Sequence, residues 1–375
     1  MKVGIVGAGI FGMAAALESM RRGHETTLFE SGRIPNPNGS STDVSKAIRR
    51  TGYAHESYIE LVMRAAKQWR EWNNRLGDSI YYQTGTFIIQ NGFDEENLFP
   101  SGWGMLGQIA EDVSQLTLSQ AMDRFPQFDV RHDDKLFFDP WGGYLRSGEA
   151  LKKLSAIARE GGVVVRENTM VTGIEETASG VRIIWDSESS TFDHAIIATG
   201  PWVANLLPQI KARIRLTLQQ MAFFLPKDVS SFNREKFPVW SVHHPGNIWY
   251  GFPYLHEGYL KVAEDNKVVD TTVDVEREPT DEFLKQAWEI VADRIPKLCN
   301  GKLIGGRSCL YTNTEDEHFI IDWAPEHERV LLAGCGCGHG FKFGGSIGPV
   351  IIDALENKEN TLGDLFRIGD RFGPI

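Results

Sequence analysis

The chain has 375 residues, of which 42% are hydrophobic and 24% charged, which excludes a disordered protein and predicts two or three domains. Its formal net charge of −11 argues against nucleic acid or an anionic membrane as a partner, because both need a concentrated basic surface. Its 4 cysteines are too few for a disulfide framework. The sequence shows no signal-peptide layout and no transmembrane stretch, so the protein is expected to be cytoplasmic.

The chain begins with a predicted strand, glycine turn, helix and second strand. A short apolar run at 2–6 ends in Gly7, helix-favouring residues extend to Arg22, and a second apolar run at 26–29 precedes Glu30. This order of elements is that of a complete βαβ unit.

The rest of the chain alternates between helical and extended patterns. A loop rich in Pro, Asn, Gly and Ser precedes an amphipathic helix, whose apolar residues from Tyr58 to Leu76 keep helical spacing. Residues 80–145 are rich in aromatic residues and contain short strand-like pieces, and residues 216–275 are typical of a broad antiparallel sheet. The further predicted helices are at 148–159, 280–295 and 350–355, and the further strands are at 162–166, 181–185, 194–198 and 330–333.

Rossmann-like pieces therefore occur near the start, the middle and the end of the sequence, with β-rich material inserted twice. This order predicts an α/β (α+β) protein of two domains, neither of which is continuous in sequence. We assign residues 1–85, 146–215 and 300–375 to a Rossmann-type dinucleotide-binding domain. Residues 86–145 and 216–299 form the predicted antiparallel-sheet substrate domain.

Gly7, Gly9 and Gly12 match the G-x-G-x-x-G motif of dinucleotide-binding folds in its required setting, after a strand and at the start of a helix. The first glycine permits a tight turn, the second lets the backbone approach a pyrophosphate, and the third allows close packing of helix and strand. Glu30 ends the second strand, where its carboxylate can accept a hydrogen bond from a ribose hydroxyl and would repel the 2′-phosphate of NADP. The motif therefore predicts FAD or NAD, and the alternative is a glycine-rich turn with a solvated glutamate.

The segment at 193–200 favours FAD. It is an apolar strand that runs into a turn of small residues at Thr199 and Gly200, and flavoproteins commonly place such a turn beside the nucleotide half of the cofactor. An ordinary core strand followed by a turn would give the same pattern, so both cofactors remain open on these residues alone.

Three later segments resemble a known family. G-R-S-C-L-Y-T-N-T at 306–314, D-E-H-F-I-I-D at 316–322 and G-H-G-F-K-F at 338–343 are similar to the monomeric sarcosine oxidase and N-methyltryptophan oxidase family of FAD-dependent amine oxidases. The resemblance covers the whole chain in order, from the glycine motif through the turn at 199–200 to these segments. It implies a D-amino-acid-oxidase-like fold with FAD as the cofactor.

The resemblance also implies that the flavin is covalently bound. Cys309 would carry it through a thioether at the 8α-methyl group, since a thiolate is a good nucleophile and the oxidised ring an electrophile. The alternative is that Cys309 is a small buried hydrophobic residue. The other residues expected to contact FAD, besides the glycine motif, Glu30 and the 199–200 turn, are Ile10, Phe11, Ser41, Thr42, Gly338, Gly340, Phe341 and Lys342. No convincing ligand set for a metal is present.

Lys261 is implied to promote the reaction with oxygen. In the related oxidases a lysine at this point hydrogen-bonds a water near flavin N5, and its fixed positive charge stabilises superoxide as the first electron leaves the reduced ring. The alternative is a solvated surface lysine.

Some positions depart from the sarcosine oxidase pattern. Lys46 and Arg49, predicted to share one face of a helical turn, lie in a D-V-x-K-x-x-R segment that looks like amadoriases and saccharopine-type oxidases, whereas sarcosine oxidases have arginine where Lys46 stands. Asp265 is also amadoriase-like, since sarcosine oxidases have a histidine there. His339 keeps the sarcosine oxidase form, whereas amadoriases typically carry an arginine. The substrate pocket therefore has mixed features.

The substrate pocket is expected to bind a carboxylate. Arg49 with its bidentate fork and Lys342 as a point charge are the candidates for holding it. Tyr311 would line the pocket over the flavin, and Asp265 would meet a cationic or hydroxyl-rich part of a larger substrate. The charged residues among these could instead lie on the solvated surface.

Together these features predict an FAD-dependent oxidase of secondary amines, whose partners are a small amine or amino-acid substrate and molecular oxygen. The C–N bond of an N-methyl, fructosyl or similar amino acid would be oxidised to an imine, water would hydrolyse the imine, and oxygen would be reduced to hydrogen peroxide. A cyclic imino acid of the pipecolate type is an alternative substrate. A dehydrogenase with another electron acceptor and a non-catalytic dinucleotide-binding regulator are the rival functions.

Overall fold

The computed structural model describes residues 1–53, 55–92, 112–265 and 269–372. Within them, the strands in chain order are β1 (Lys2–Val6), β2 (Glu25–Phe29), β3 (Lys46–Ile48), β4 (Tyr81–Tyr82), β5 (Thr86–Gln90), β6 (Ser114–Leu116), β7 (Lys135–Asp139), β8 (Gly143–Leu145), β9 (Val164–Arg166), β10 (Val171–Thr177), β11 (Gly180–Trp185), β12 (Glu188–Phe192), β13 (His194–Ile197), β14 (Arg215–Leu225), β15 (Val239–His244), β16 (Asn247–Gly251), β17 (Leu260–Glu264), β18 (Lys302–Asn313), β19 (Ile320–Trp323) and β20 (Val330–Gly334). The α-helices are α1 (Ile10–Arg21), α2 (Glu56–Leu76), α3 (Leu118–Arg124), α4 (Ser147–Glu160), α5 (Val203–Leu206), α6 (Asp281–Arg294), α7 (Ile347–Leu355) and α8 (Thr361–Asp364).

A six-stranded sheet forms the centre of the nucleotide-binding part. Its strand order is β19-β20-β13-β1-β2-β9, and all neighbours are parallel except β19 and β20. The central strands are mostly apolar because they are covered on both faces, by helices α1, α4 and α7 on one and by the sheet β10-β11-β12 on the other. The βαβ unit predicted for the first thirty or so residues is confirmed, and α1 begins at Ile10, directly after the glycine turn.

Helix α2 connects this sheet to the site. It begins after His55, whose side chain accepts a hydrogen bond from the Ser57 N–H, and it ends at Gly77 in the left-handed conformation (φ 62°). Its predicted amphipathic face is confirmed, because the residues with helical spacing are the buried ones. Trp69 on this face donates from Nε1 to the carbonyl of Lys342 at 2.8 Å. The helix thereby positions the segment that carries Lys342.

An eight-stranded sheet holds the inserted β-rich segments. Its order is β18-β14-β17-β16-β15-β5-β7-β6, so strands from 86–139 and from 215–264 meet at the β15–β5 pair. That pair is parallel and the other neighbours are antiparallel, which adds one parallel pair to the predicted antiparallel sheet. One face of this sheet packs on helices α3 and α6 around a large apolar core. The other face lines the site.

Two three-stranded sheets complete the fold, β10-β11-β12 and β3-β8-β4. Strand β18 pairs with β14 almost from end to end and so belongs to the eight-stranded sheet, although it lies in the segment 300–375 predicted for the dinucleotide-binding domain. The sheets therefore share segments, and the domain boundaries stay a prediction.

The described residues contain neither a membrane-spanning helix nor a metal-binding cluster. No helix in this part of the chain is both long and apolar enough to cross a membrane. No group of three or more His, Cys, Asp or Glu residues in this part of the chain is arranged to hold a metal ion.

Candidate active site

A groove suited to a dinucleotide lies where the strands β1, β13 and β20 end and helix α1 begins. Gly7 has a φ of +100°, and a Cβ on it would lie 2.5 Å from the carbonyl oxygen of Ala198. A Cβ on Gly12 would overlap the carbonyl oxygen of Gly7. Both positions therefore require glycine, for backbone conformation at the first and for helix–strand packing at the second.

Glu30 organises the glycine turn from the neighbouring strand. One carboxylate oxygen accepts from the Ala8 N–H at 2.9 Å, and the other accepts from Ser31 Oγ at 3.1 Å, from the Gly32 N–H at 3.1 Å and from Asn36 Nδ2 at 2.8 Å. The oxygen that accepts only from Ala8 has a second lone pair, which can accept from a ribose hydroxyl. The predicted ribose contact is compatible with this arrangement.

The groove also offers hydrogen-bonding groups that the described chain does not use. The hydroxyls of Ser40 and Thr199 are buried in its wall and have no partner among the described residues. Ser41 Oγ accepts from the Ile10 N–H at 3.0 Å, and the N-cap residue Gly9 has no side chain to cap the other N–H groups of the first turn of α1. Such a set fits the phosphates and hydroxyls of FAD. The predicted cofactor-binding residues that line the groove are Gly7, Gly9, Ile10, Phe11, Glu30, Ser41, Thr42, Thr199, Gly200, Gly338, Gly340 and Phe341.

Cys309 lies on β18 immediately before two residues that line this groove, Leu310 and Tyr311. It is buried in an apolar cluster with Met221, Ala263 and Tyr311. This burial agrees with the alternative of a small buried hydrophobic residue, and the flavin linkage stays a prediction.

A second cavity of about 660 Å³ adjoins the groove. Lys46, Tyr311, Gly338 and Phe341 line both spaces, so the groove and the cavity meet at these side chains. The structure brings together in this cavity all the side chains predicted as catalytic, which are Lys46, Arg49, Lys261, Asp265, Tyr311, His339 and Lys342. Their individual roles stay predictions.

The segment around Lys46 corrects one sequence expectation. The helical turn predicted for Lys46 and Arg49 is wrong, because Lys46–Ile48 forms strand β3, which pairs antiparallel with β8. An isolated helical turn is costly to nucleate, whereas pairing with β8 satisfies the backbone groups of this buried segment. Lys46 and Arg49 still reach the same cavity, because Arg49 follows the end of the strand.

Two cations approach one aromatic ring in the cavity. The Arg49 guanidinium lies 5.1 Å from the centroid of the Tyr53 ring, and Lys342 Nζ lies 5.7 Å from the same centroid. Arg49 donates to the carbonyl of Thr51, and Lys342 donates to that of His339 at 3.0 Å. The two cations are thus anchored near each other, an arrangement that can bind a carboxylate.

Tyr53 itself was missed by the sequence reasoning, since nothing in the segment that follows Arg49 marks it. Its hydroxyl is buried, lines the cavity and has no partner among the described residues. Burial raises the pKa of Tyr53 to about 12, although Arg49 opposes the shift. The hydroxyl therefore stays protonated and can donate a hydrogen bond.

Lys261 is fully buried on β17, which excludes the alternative of a surface lysine. Its ammonium donates to the carboxylate of Asp43 and to the carbonyl of Ser45 at 2.8 Å. Lys46 Nζ lies 3.5 Å from the same carboxylate. Burial would raise the pKa of Asp43, but the charges of Lys261 and Lys46 lower it to about 2. The group therefore contains two lysines and one carboxylate, with an excess of positive charge at the junction of groove and cavity.

Asp43 is a functional candidate that was not predicted from the sequence. It is the first residue of the D-V-x-K-x-x-R motif, so its fixed spacing from Lys46 was the available signal for a role in the site. Its contact with Lys261, more than two hundred positions away, has no signal in a single sequence.

Two tyrosines form a hydrogen-bonded pair in the cavity wall. Tyr250 on β16 and Tyr311 on β18 bond through their hydroxyls. Burial raises the pKa of both well above the ordinary value, and the nearby charge of Asp265 adds to the shift. Both phenols therefore remain protonated at neutral pH. Tyr250 lies in the segment 216–275 predicted as an antiparallel sheet but was not predicted as a site residue.

His339 lies among aromatic rings at the edge of the cavity. Its ring centroid is 4.9 Å from that of Phe319 and 5.2 Å from that of Tyr58, and its Nε2 is 3.3 Å from the carbonyl oxygen of Glu317. It immediately precedes the 3₁₀ helix Gly340–Gly345, which carries Lys342. Its position is therefore compatible with shaping the cavity near the carboxylate-binding cations.

Comparisons with known proteins agree with this geometry. A family model described as DAO, FAD dependent oxidoreductase, matches residues 2–354. Monomeric sarcosine oxidase from Bacillus sp. (strain B-0618) is 30% identical over 358 residues, which cover 92% of this chain and 90% of that protein. N-methyl-L-tryptophan oxidase from Yersinia pestis (strain Pestoides F) is 27% identical over 364 residues, which cover 96% of this chain and 95% of that protein.

A solved structure with the same fold is fructosyl amine:oxygen oxidoreductase (Amadoriase I) from Aspergillus fumigatus. The TM-score is 0.80 at 19% identity, and the match covers 98% of this chain and 89% of that one. At this identity the likeness concerns the fold alone.

Proposed function

Because this chain belongs to the DAO family of FAD dependent oxidoreductases, we propose that it is an oxidase of secondary amines that acts on an N-substituted amino acid. The observation that carries the proposal is the pair of cations, Arg49 and Lys342, beside Tyr53 in a cavity that opens onto the dinucleotide groove. The names of two relatives, sarcosine oxidase and N-methyltryptophan oxidase, support substrates that carry both a carboxylate and a secondary amine.

Arg49 and Lys342 would hold the substrate carboxylate, which fixes the amino acid at one end of the cavity. The lysines and arginine that line the cavity disfavour a further positive charge, so they lower the pKa of the bound amine and favour its neutral form. In the Tyr250–Tyr311 pair one hydroxyl donates to the other, so the proton of the second can be donated to the lone pair of that amine or to a water. When bound, FAD would accept the two electrons that are removed when the C–N bond is oxidised.

The overall reaction balances with water and oxygen. The amine loses two electrons and two protons to become an imine, and water hydrolyses the imine to a carbonyl compound and an amine. Oxygen takes up the two electrons and two protons as hydrogen peroxide. Lys261, held by Asp43 and Ser45, would stabilise the negative charge that develops on oxygen, and Lys46 supplies the excess positive charge of this group.

We further propose that Cys309 is bound to FAD through a thioether. Its support is the family resemblance together with its buried place beside the groove-lining residues of β18. Acid precipitation of the purified protein should leave a coloured pellet, and Cys309→Ser should release FAD into the supernatant. Cys299→Ser is the matched control, because Cys299 is only half-buried and belongs to a different core. Free FAD in the supernatant of the unaltered protein would contradict the linkage.

The function is tested by offering the protein sarcosine, N-methyl amino acids, pipecolate, saccharopine and fructosyl amino acids. We expect at least one of them to bleach the flavin absorbance anaerobically and to yield peroxide in air. Bleaching without peroxide would favour a dehydrogenase with another electron acceptor. A flavin that no amine bleaches would refute the proposal and favour a non-catalytic protein.

A further inference from the structure

The cavity has a second polar region that the proposed chemistry does not use. It lies on strands β5 and β15, the parallel pair of the eight-stranded sheet, where Gln90 is the cross-strand neighbour of His243. Residues on these strands alternate between the two faces. Phe87 and Val242 point into the apolar core, whereas Gln90, Ser241 and His243 line the cavity. The three polar side chains therefore form a continuous patch on the cavity wall.

The carboxamide of Gln90 is an incomplete hydrogen-bonding group. The residue is 2% exposed, and its Oε1 is buried without a partner among the described residues. A buried acceptor without a partner is destabilising, so native proteins rarely leave one unsatisfied without a reason. Because this one lies in the wall of a cavity, a donor on a bound molecule can satisfy it.

The neighbouring groups are neutral. Ser241 Oγ and His243 Nε2 are 2.9 Å apart and hydrogen-bond to each other. Burial, together with the charge of Arg49, lowers the pKa of His243 to about 3. The imidazole is therefore uncharged at neutral pH, and the patch presents an amide, a hydroxyl and a neutral ring.

We infer that Gln90, Ser241 and His243 form a subsite for a neutral hydrogen-bond donor, such as a carboxamide or a hydroxyl, on the variable part of the substrate. A carboxylate has no proton to give to Gln90 Oε1. An ammonium group would find a carboxylate at Asp265 in the same cavity, but the three side chains of the patch offer it only neutral acceptors. An apolar group would leave the amide unsatisfied. The inference rests on the proposed function for the binding of the substrate's carboxylate and amine.

Three substrates of nearly equal shape test it on the FAD-loaded protein. N-methyl-L-glutamine ends in a neutral donor, N-methyl-L-glutamate in an anion and N-methyl-L-homoleucine in an apolar isostere. We expect kcat/KM for the glutamine derivative to exceed both others by about tenfold or more, since a site built to bond a polar group rejects analogues that lack it. Calorimetric binding of the unreactive analogues that carry a methoxy group in place of the amine should show the same order.

Variants separate this subsite from the rest of the cavity. Gln90→Leu should abolish the preference for the glutamine derivative over the homoleucine derivative. Ser241→Ala should reduce the preference and serves as a second variant should Gln90→Leu fold poorly. Gln115→Leu is the matched control, because Gln115 is exposed on β6, and it should leave the preference unchanged.

The outcomes distinguish this inference from the function on which it rests. Equal kcat/KM for the three substrates, or a preference that survives both Gln90→Leu and Ser241→Ala, would overturn the subsite alone. If no N-substituted amino acid reduces the flavin, the proposed function fails and the subsite fails with it.

Discussion

The buried pair of Asp43 and Lys261 provides a quantitative prediction for Asp43→Asn. Both side chains are 1% exposed, so neither charge can reach water when its partner is removed. Removing one member of a buried ion pair costs about 3–5 kcal/mol of unfolding free energy, because the other charge stays buried without compensation. Lys46, whose side chain is 17% exposed, can turn to solvent and adds little to this cost.

The pKa of Asp43 supplies an independent magnitude. It lies at about 2 in the folded protein against an ordinary value of 3.8, and a shift of this size corresponds to about 2 kcal/mol. Because the folded pKa is the lower one, this contribution is present above the unfolded pKa of 3.8 and is lost as the pH falls towards about 2. The unaltered protein and the variant should therefore differ most at neutral pH and converge in acid.

Urea unfolding at neutral pH measures the effect, with the same excess of FAD throughout because bound ligand adds to stability. Asp43→Asn should lose a few kcal/mol, and the double variant with Lys261→Met should recover most of the loss. Glu60→Gln removes one member of an exposed pair with Arg64 and, as the control, should cost less than about 1 kcal/mol. A loss below about 1 kcal/mol for Asp43→Asn, or a double variant that loses the sum of both single effects, would refute the reasoning.

Two further predictions concern catalysis. Lys261→Met should slow the reoxidation of reduced flavin by oxygen far more than the reduction of flavin by substrate, because it removes the positive charge near the developing superoxide. Stopped-flow measurement of the two half-reactions checks this prediction. Equal effects on both half-reactions would contradict it. Arg49→Lys should raise KM by about tenfold, because a lysine ammonium cannot make the two parallel hydrogen bonds that an arginine guanidinium makes with a carboxylate. Steady-state kinetics beside the exposed control Arg64→Lys would show this, and an unchanged KM would remove Arg49 from carboxylate binding.

The nucleotide-binding part of the fold could be predicted from the sequence because its signals are local. Gly7, Gly9 and Gly12 are constrained by turn geometry and close packing within a few residues, and their strand–helix setting is visible in the apolar pattern. The amphipathic periodicity of α2 likewise follows from a single buried face. Such features need no knowledge of distant contacts.

The residues of the cavity could be predicted only where a family resemblance indicated which residues, far apart in the sequence, share one site. Lys261 and Lys342 could be placed in one site because related proteins share their motifs. Asp43, Tyr53 and Gln90 were not assigned, since each acquires its role from contacts made by tertiary packing. The same reason explains why the helical turn at Lys46 was wrong: its pairing with β8 joins segments about a hundred residues apart.

One face of the eight-stranded sheet packs on the apolar core and the other lines the cavity, which has a consequence for the evolution of this protein. Ile89 and Val242 touch the large apolar core, and each is followed by a residue that lines the cavity, Gln90 and His243. With the proposed subsite, mutations at Gln90, Ser241 or His243 would therefore alter substrate preference without leaving a void in the core. Positions that set substrate preference and positions that stabilise the fold would alternate along the same strands, so selection could change the first and preserve the second.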